Sequence, residues 1–166
     1  MEKILVSACL IEEPVRYDGQ LKPCSSTILK KWQREGLILA FCPEVAGGLP
    51  VPRPPSEIIA GIDKKDKKNT RLIINSNGQD VTLFFNEGAK KSLEIVLIHD
   101  IKIAILKDGS PSCGSQYIYD GTFNGVRIPG RGLTAELLEN NGINVFNENE
   151  LKSAEILKYS LDAKSK

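Results

Sequence analysis

Short apolar runs recur along this chain, and the stretches between them place apolar residues at helical spacing. Apolar runs of this length, bounded by turn-forming residues and rich in β-branched side chains, predict buried strands. Four such runs are present: Ile4–Ala8, Leu37–Phe41, Ile101–Leu106 and Ile143–Phe146.

Capping residues and glycines indicate where the intervening helices begin and end. Ser25 or Ser26 is suited to start a helix that ends at Glu35. Further helices are predicted over Thr134–Asn141 and after Asn147. Strands that alternate with helices predict an α/β protein with a mostly parallel sheet, Rossmann-like or flavodoxin-like, with helices on both faces.

Two segments do not follow this alternation. Pro43–Pro55 holds five Pro and two Gly, which predicts irregular structure throughout. Asn77-Gly78 is a strong hairpin signal between possible strands at Arg71–Asn75 and Asp80–Leu83. The alternative for the second of these strands is a helix that begins near residue 80 and runs to about Asp100.

Length and composition narrow the class of protein. The 166 residues predict one domain spanning 1–166, and 41% hydrophobic with 26% charged residues is typical of a soluble globule. A net charge of +1 gives no basic field for a nucleic-acid polymer. The apolar run near the N-terminus is shorter than the roughly 20 residues that span a bilayer, so neither a membrane partner nor export is expected. The predicted location is therefore cytoplasmic, where thiols stay reduced.

The cysteines are the chemically informative residues. Cys9, Cys42 and Cys113 each follow a predicted strand, whereas Cys24 lies within a loop. Because the carboxyl ends of parallel strands share one edge of a sheet, we expect the first three thiols to converge. Three thiolates could bind zinc with a fourth ligand, or an iron–sulfur cluster with one open iron; the single His99 excludes any site that needs two imidazoles. Three separate buried thiols are the alternative.

The residues around these cysteines offer further chemistry. Glu44, two residues after Cys42, could move protons, although it could also simply pair with Arg53. The stretch from Ser110 to Gly114 offers two hydroxyls and several N–H groups around Cys113. Two Tyr-Asp-Gly triplets could line a pocket or form plain turns. The charged run Lys64–Lys68 is interpreted as a solvated loop.

Motifs spread over almost the whole chain, from Ile4 to about Glu150, resemble those of the thiouracil desulfidase-like family of small bacterial proteins. The motifs are Ser7-Ala8-Cys9-Leu10, Arg16-Tyr17-Asp18-Gly19, Cys42-Pro43-Glu44-Val45, Gly47-Gly48-Leu49-Pro50, Pro52-Arg53-Pro54-Pro55, Ser110-Pro111-Ser112-Cys113-Gly114 and Tyr119-Asp120-Gly121-Thr122-Phe123. Their combination in this order is specific for the family and less specific for one substrate within it.

The resemblance implies a [4Fe–4S] cluster held by Cys9, Cys42 and Cys113, with one iron open to the sulfur of a small thiolated substrate. It also implies that Glu44 is the acid/base residue and that Ser110 assists it. The expected reaction is non-redox conversion of C=S to C=O with release of hydrosulfide. The residues expected to contact substrate are Arg16, Tyr17, Asp18, Arg53, Ser112, Tyr119, Asp120 and Phe123.

Three other functions remain open from the residues alone. A non-catalytic cluster or zinc protein that handles sulfur would bind metal without turnover. A thiol redox enzyme would work without metal and would need a depressed thiol pKa at its nucleophile. A metal-free binding domain would tolerate replacement of every cysteine by serine.

Overall fold

The computed structural model describes residues 2–21, 24–59 and 71–164. The charged run Lys64–Lys68 lies outside these ranges, and the division of the chain into one domain stays a prediction. None of the helices described is both long and apolar enough to cross a bilayer. The strands in chain order are β1 (Ile4–Ser7), β2 (Ile38–Phe41), β3 (Ser56–Ile59), β4 (Leu72–Asn75), β5 (Ile103–Leu106), β6 (Tyr117–Tyr119), β7 (Arg127–Pro129) and β8 (Asn144–Asn147). The helices are α1 (Thr27–Arg34), α2 (Pro43–Ala46), α3 (Thr82–Ile98), α4 (Leu133–Asn140) and α5 (Leu151–Lys164).

A four-stranded parallel sheet forms the centre of the molecule, in the spatial order β2, β1, β5, β8. Ile4 of β1 pairs with Ile38 on one side and with Ile103 on the other. These are the four strands that the apolar runs predict. The chain leaves β1 toward β2 and later returns to the opposite side of β1 at β5. Loops diverge at such a switch point and open a crevice at the carboxyl ends of the strands.

Helices cover both faces of this sheet, as predicted. On one face, Val6 and Ile105 belong to a buried cluster with Trp32 of α1 and Leu151 of α5. On the other face, the cluster comprises Leu5, Ala104 and Leu106 with Val96 of α3 and Leu138 of α4. Neighbouring residues of one strand therefore enter different layers, as the strand period of two requires. Each large apolar side chain buried in this way stabilises the fold by about 1.5–3 kcal/mol.

The interpretation of Pro43–Pro55 as wholly irregular is wrong for its first turn. Pro43–Ala46 forms the short helix α2, with Pro43 at its first position, where the missing proline N–H breaks no helical hydrogen bond. The remainder of the segment includes a cis peptide bond at Val51–Pro52 and leads into β3.

The prediction of a strand at Asp80–Leu83 is also wrong, and the alternative prediction, a helix that begins near residue 80, is confirmed. The turn at Asn77-Gly78 forms with Gly78 at φ 79°, but the return segment makes only one bridge, between Ile74 and Asp80. Helix α3 then begins at Thr82 and buries Phe85 and other small and apolar residues of one face. Burial of this face outweighs the extension of a two-stranded hairpin.

Two antiparallel strand pairs flank the central sheet. The possible strand at Arg71–Asn75 is confirmed as β4 (Leu72–Asn75), but the other three strands and both pairings were not predicted. β3 pairs with β4 and β6 pairs with β7. Both pairs contribute residues to the wall of the pocket described next.

Candidate active site at the carboxyl edge of the sheet

A pocket of about 510 Å³ opens beyond the carboxyl ends of β1, β2 and β5. Cys9, Cys42 and Cys113 all line it, together with Glu44 and Ser110. These residues are far apart in the chain, and they meet here because each lies in the segment that follows the carboxyl end of β1, β2 or β5. The volume lies within the range of about 300–1,000 Å³ that is usual for small-molecule sites.

The three thiols share an environment that opposes ionisation. Burial, and next to it the neighbouring Cys42, raises the pKa of the Cys9 thiol to about 11. Burial also raises the pKa of Cys42 and, most strongly, that of Cys113, and the other two sulfurs add to the effect at Cys113. A thiol redox nucleophile needs a depressed pKa, so this site does not favour that function.

Each sulfur nevertheless has a different partner that favours its charged form. Cys9 lies in the field of the cations Lys107 and Arg16. Cys42 occupies the N-cap position of α2, where the backbone N–H groups of Glu44 and Val45 act to lower its pKa. Cys113 accepts a hydrogen bond from the buried hydroxyl of Ser7, with an O–S distance of 3.6 Å.

The donor set of the pocket, three thiols without an imidazole, is of the kind that ligates iron–sulfur clusters. Within the ranges that the structure describes, no group of three or more His, Cys, Asp or Glu side chains is arranged to hold one metal ion. An iron–sulfur cluster takes each thiolate on a separate iron, so its ligands stand farther apart than those of one ion. All four cysteines are free, and Cys24 packs against the hydrophobic core instead of lining the pocket.

Glu44 is held in the pocket by Arg53. The guanidinium donates to Glu44 Oε2 from Nε at 2.9 Å and from Nη2 at 2.6 Å. The same guanidinium donates to the carbonyl oxygens of Pro50 and Val15, at 3.1 and 3.0 Å. Because Arg53 is fixed by two carbonyls, it orients the carboxylate as well as offsetting its charge.

Ser110 acts as a directed donor to Glu44. Its hydroxyl oxygen accepts the backbone N–H groups of Ser112 and Cys113, at 3.0 and 3.1 Å. The hydroxyl proton is therefore left for the carboxylate, whose Oε1 lies 3.2 Å away. The loop that carries the third cysteine thus also places a hydroxyl against the acid.

Asp108 holds this loop in shape, although no sequence prediction singled it out. Its Oδ1 accepts backbone N–H groups from Gly109, Ser115 and Gln116 at 2.9–3.2 Å, and a longer one from Tyr117 at 3.4 Å. Its Oδ2 accepts from the side chain of Asn147 in β8 at 3.3 Å. The Asp-Gly pair one residue beyond the end of β5 was the available signal, since Asp favours such turns.

Helix α2 owes its position to two glycines. A Cβ on Gly88 of α3 would lie 2.0 Å from the carbonyl oxygen of Pro43, and one on Gly47 would lie 2.0 Å from that of Phe84. Only glycine allows this close approach of the two backbones. The contact places the turn that bears Cys42 and Glu44 against a long helix.

The predicted substrate-contacting residues divide into two groups. Arg16, Tyr17, Arg53 and Tyr119 line the pocket, and the Arg16 Nε forms an ion pair with Asp18 Oδ1 at 3.6 Å. The others are not among the lining residues, and their roles stay predictions: Asp18, Ser112, Asp120 and Phe123.

The contacts of this second group lie within the protein. The carboxylates of Asp18 and Asp120 accept backbone N–H groups two residues on, at Gln20 and Thr122. The Ser112 hydroxyl lies 2.9 Å from that of Thr134 in the core. These side chains stabilise the turns and the loop around the site.

Several lining residues were not predicted from the sequence, namely Glu57, Lys107, Asp108, Tyr117 and Arg127. Lys107 and Asp108 directly follow β5, so their position at the sheet edge was the missed signal. The other three belong to the antiparallel strands, whose presence the hydrophobic pattern did not indicate.

The fold and the pocket together define a Rossmann-like α/β protein with three thiols and an acid–hydroxyl pair at its topological switch point. The family model described as 2-thiouracil desulfurase matches residues 4–150, and the chain belongs to this family. The resemblance found in the sequence is thereby confirmed.

Two relatives show the extent of the similarity. An uncharacterized protein of Bacillus subtilis (strain 168), YbbK, is 43% identical over 148 residues, which cover 89% of this chain and 97% of the relative. The solved structure of the [4Fe-4S]-dependent thiouracil desulfidase TudS matches with a TM-score of 0.86 and 48% identity, over 97% of this chain and 99% of that one.

Proposed function

We propose that this protein is a [4Fe–4S]-dependent desulfidase that acts on a small thiolated nucleobase or a related thiocarbonyl compound. In the reaction, C=S and water become C=O and hydrogen sulfide, released as hydrosulfide and a proton, so no electron is gained or lost. The observation that carries the proposal is that three thiols and the Glu44–Ser110 pair line one pocket. The relative TudS is itself named as a [4Fe-4S]-dependent thiouracil desulfidase.

Cys9, Cys42 and Cys113 are the residues that would hold the cluster. When bound there, it supplies a Lewis-acidic iron without a protein ligand, which attracts the soft sulfur of the substrate and makes the C=S carbon electrophilic.

Glu44 is the proposed base and acid. Its carboxylate takes a proton from the attacking water and returns it to the departing sulfur. Of the two carboxylate oxygens, only Oε2 accepts hydrogen bonds from Arg53, and Oε1 faces the Ser110 hydroxyl. We assign Ser110 the role of orienting Oε1 and passing a proton between the carboxylate and the substrate.

Substrate contacts are assigned to the lining residues that carry donors or aromatic rings. Arg16, whose Nε pairs with Asp18, brings to the pocket a guanidinium that is suited to an acceptor atom of the ring. Tyr17 and Tyr119 offer aromatic surface at the same pocket. We infer a cytoplasmic location, since reduced cysteines are the normal state there.

The test is anaerobic reconstitution followed by addition of 2-thiouracil. Loss of the thiocarbonyl absorbance together with stoichiometric sulfide is the expected result. Glu44→Gln is expected to retain the cluster and to lower kcat by about 100-fold or more, because it removes the proton acceptor. The control is Gln20→Glu, an exchange at an exposed residue outside the pocket. It is expected to leave kcat unchanged.

The negative outcomes separate the alternatives. A fully loaded protein that releases no sulfide from any thiolated base tested would indicate a non-catalytic cluster protein. Activity that persists in Glu44→Gln would refute the assignment of the base while leaving the reaction in place.

A further inference from the structure

Ser7 is the last residue of β1, and the mechanism above gives it no role. Its side chain is 2% exposed and lies between the segments that carry Cys9 and Cys113. The hydroxyl oxygen accepts the backbone N–H of Lys107 at 3.0 Å. The same hydroxyl lies 3.6 Å from the sulfur of Cys113, as its hydrogen-bond donor.

The direction of the hydroxyl proton follows from these two contacts. The Lys107 N–H occupies the oxygen as an acceptor, so the proton is available to the Cys113 sulfur. The donor is rigid because it ends a central strand that pairs on both sides. A buried sulfur cannot obtain this hydrogen bond from bulk water, and Cys113 is the only one of the three pocket cysteines that is fully buried.

The other two sulfurs are charge-stabilised by different means, as described above. Cys9 has nearby cations and Cys42 has backbone N–H groups, but neither has a side-chain hydroxyl aimed at it. Cys113 is buried, and the Ser7 hydroxyl donates to its sulfur. Ser7 therefore donates to the most buried of the three sulfurs, that of Cys113.

We propose that Ser7 tunes the cluster by donating a hydrogen bond to the Cys113 thiolate. This inference rests on the proposed function, since it requires a cluster ligated by Cys113. A hydrogen bond to a ligating sulfur reduces the electron density that the sulfur gives to its iron, and this sets cluster potential. The Ser7 hydrogen bond therefore raises the reduction potential of the cluster and makes its iron more Lewis-acidic.

The experiment compares wild type with Ser7→Ala and Ser7→Thr after anaerobic reconstitution. Iron and sulfide content and the midpoint potential of the cluster are measured for each, alongside turnover of 2-thiouracil. We expect Ser7→Ala to load fully, to show a more negative potential, and to lose about 10-fold in turnover. Ser7→Thr keeps a hydroxyl and is expected to restore both values.

Ser92→Ala is the matched control. Its hydroxyl is equally buried but donates to the carbonyl oxygen of Gly88 at 2.8 Å, not to a sulfur. It is expected to leave the potential unchanged. A purely structural role of Ser7 would lower loading or thermal stability without moving the potential of the loaded fraction.

Each outcome decides between the claims. A loaded Ser7→Ala protein with the wild-type potential overturns the role of Ser7. Should Ser7→Ala not load at all, the wild type alone provides the test, because deuterium on the hydroxyl shifts the iron–thiolate stretch in the resonance Raman spectrum. A stretch that does not respond to D₂O overturns the inference, whereas a wild type that binds no cluster refutes the proposed function instead.

Discussion

The floor and the walls of the pocket are built differently. The floor is the carboxyl edge of the parallel sheet, where Cys113 and the adjoining Asp108 are buried. Part of the wall comes from the two antiparallel pairs, where Tyr119 is half-buried and Arg127 is exposed. From this difference we expect the reaction to take place at the rigid carboxyl edge of the sheet and the substrate to be contacted by the more open antiparallel strand pairs.

The contacts that hold each region support this division. On the floor, the single carboxylate of Asp108 accepts backbone N–H groups of one loop and the side-chain amide of Asn147 in β8. On the wall, Glu57 of β3 ties the turn after β6 by accepting N–H groups from Gly121 and Phe123, at 2.8 and 3.1 Å. Substitutions on the floor are therefore expected to lower cluster content, kcat or stability, and those on the wall to alter binding.

The largest effect is expected from Cys113→Ser. Removing a thiolate from the most buried ligand position should prevent stable cluster binding and eliminate turnover. Iron content, the visible absorbance and sulfide release measure this. Cys24→Ser is the matched control, because Cys24 lies outside the pocket, and it should retain all three. A Cys113→Ser protein with a full cluster and normal turnover would contradict the assignment of the ligands.

The next effect is expected from Ser110→Ala. Loss of the hydroxyl that donates to Glu44 Oε1 should lower kcat by about 10²-fold, with little change in iron content. The expected signature is a kcat effect with KM nearly unchanged, measured by steady-state sulfide release. Ser115→Ala is a control in the same loop, since its hydroxyl bonds Asn147 rather than the acid. Equal losses in both variants would mean that the loop, not the hydroxyl, sets the rate.

A smaller loss of activity and a clear loss of stability are expected from Asp108→Ala. The substitution leaves several backbone N–H groups and the Asn147 amide without their acceptor, which should cost about 3 kcal/mol of unfolding free energy. Urea unfolding of the cluster-free protein measures this without interference from metal. Asp80→Ala, at an exposed turn where the carboxylate accepts from Thr82, should cost less than about 1 kcal/mol. Similar costs for the two would refute the role of Asp108 as the organiser of the loop.

The floor was predictable from the sequence because its elements repeat a simple rule. Each strand is a short apolar run, and each pocket cysteine follows one, so parallel pairing alone brings the thiols to one edge. Glu44 was singled out by its place two residues after Cys42 as well as by the family motifs, whereas the role of Ser110 was implied by the resemblance alone. Their mutual hydrogen bond agrees with those roles.

The strands β3, β6 and β7 of the walls were not predictable, for equally physical reasons. Tyr117–Tyr119 and Arg127–Pro129 are three residues each and largely half-buried or exposed, so no alternation marks them as strands. The approach of Gly88 to Pro43 depends on how two distant helices pack, which no local pattern records. The Ser7 hydrogen bond joins residues 106 positions apart and likewise appears only in three dimensions.

The smallest effect is expected from Arg127→Met on the wall. Its guanidinium lies 4.5 Å from the ring centre of Tyr117, and both residues line the pocket. A cation–π contact at an exposed site contributes about 0.5–1 kcal/mol. If the contact holds the Tyr117 ring in place for the substrate, KM for a thiolated base should rise by no more than about two- to five-fold. Cluster content and kcat should not change, because no atom of Arg127 bonds the acid or a thiol. Arg131→Met is the matched control, since Arg131 pairs with Glu139 at 2.8 Å outside the pocket. A drop in kcat or iron content in Arg127→Met would show that the wall takes part in the chemistry and would remove the distinction between the two regions.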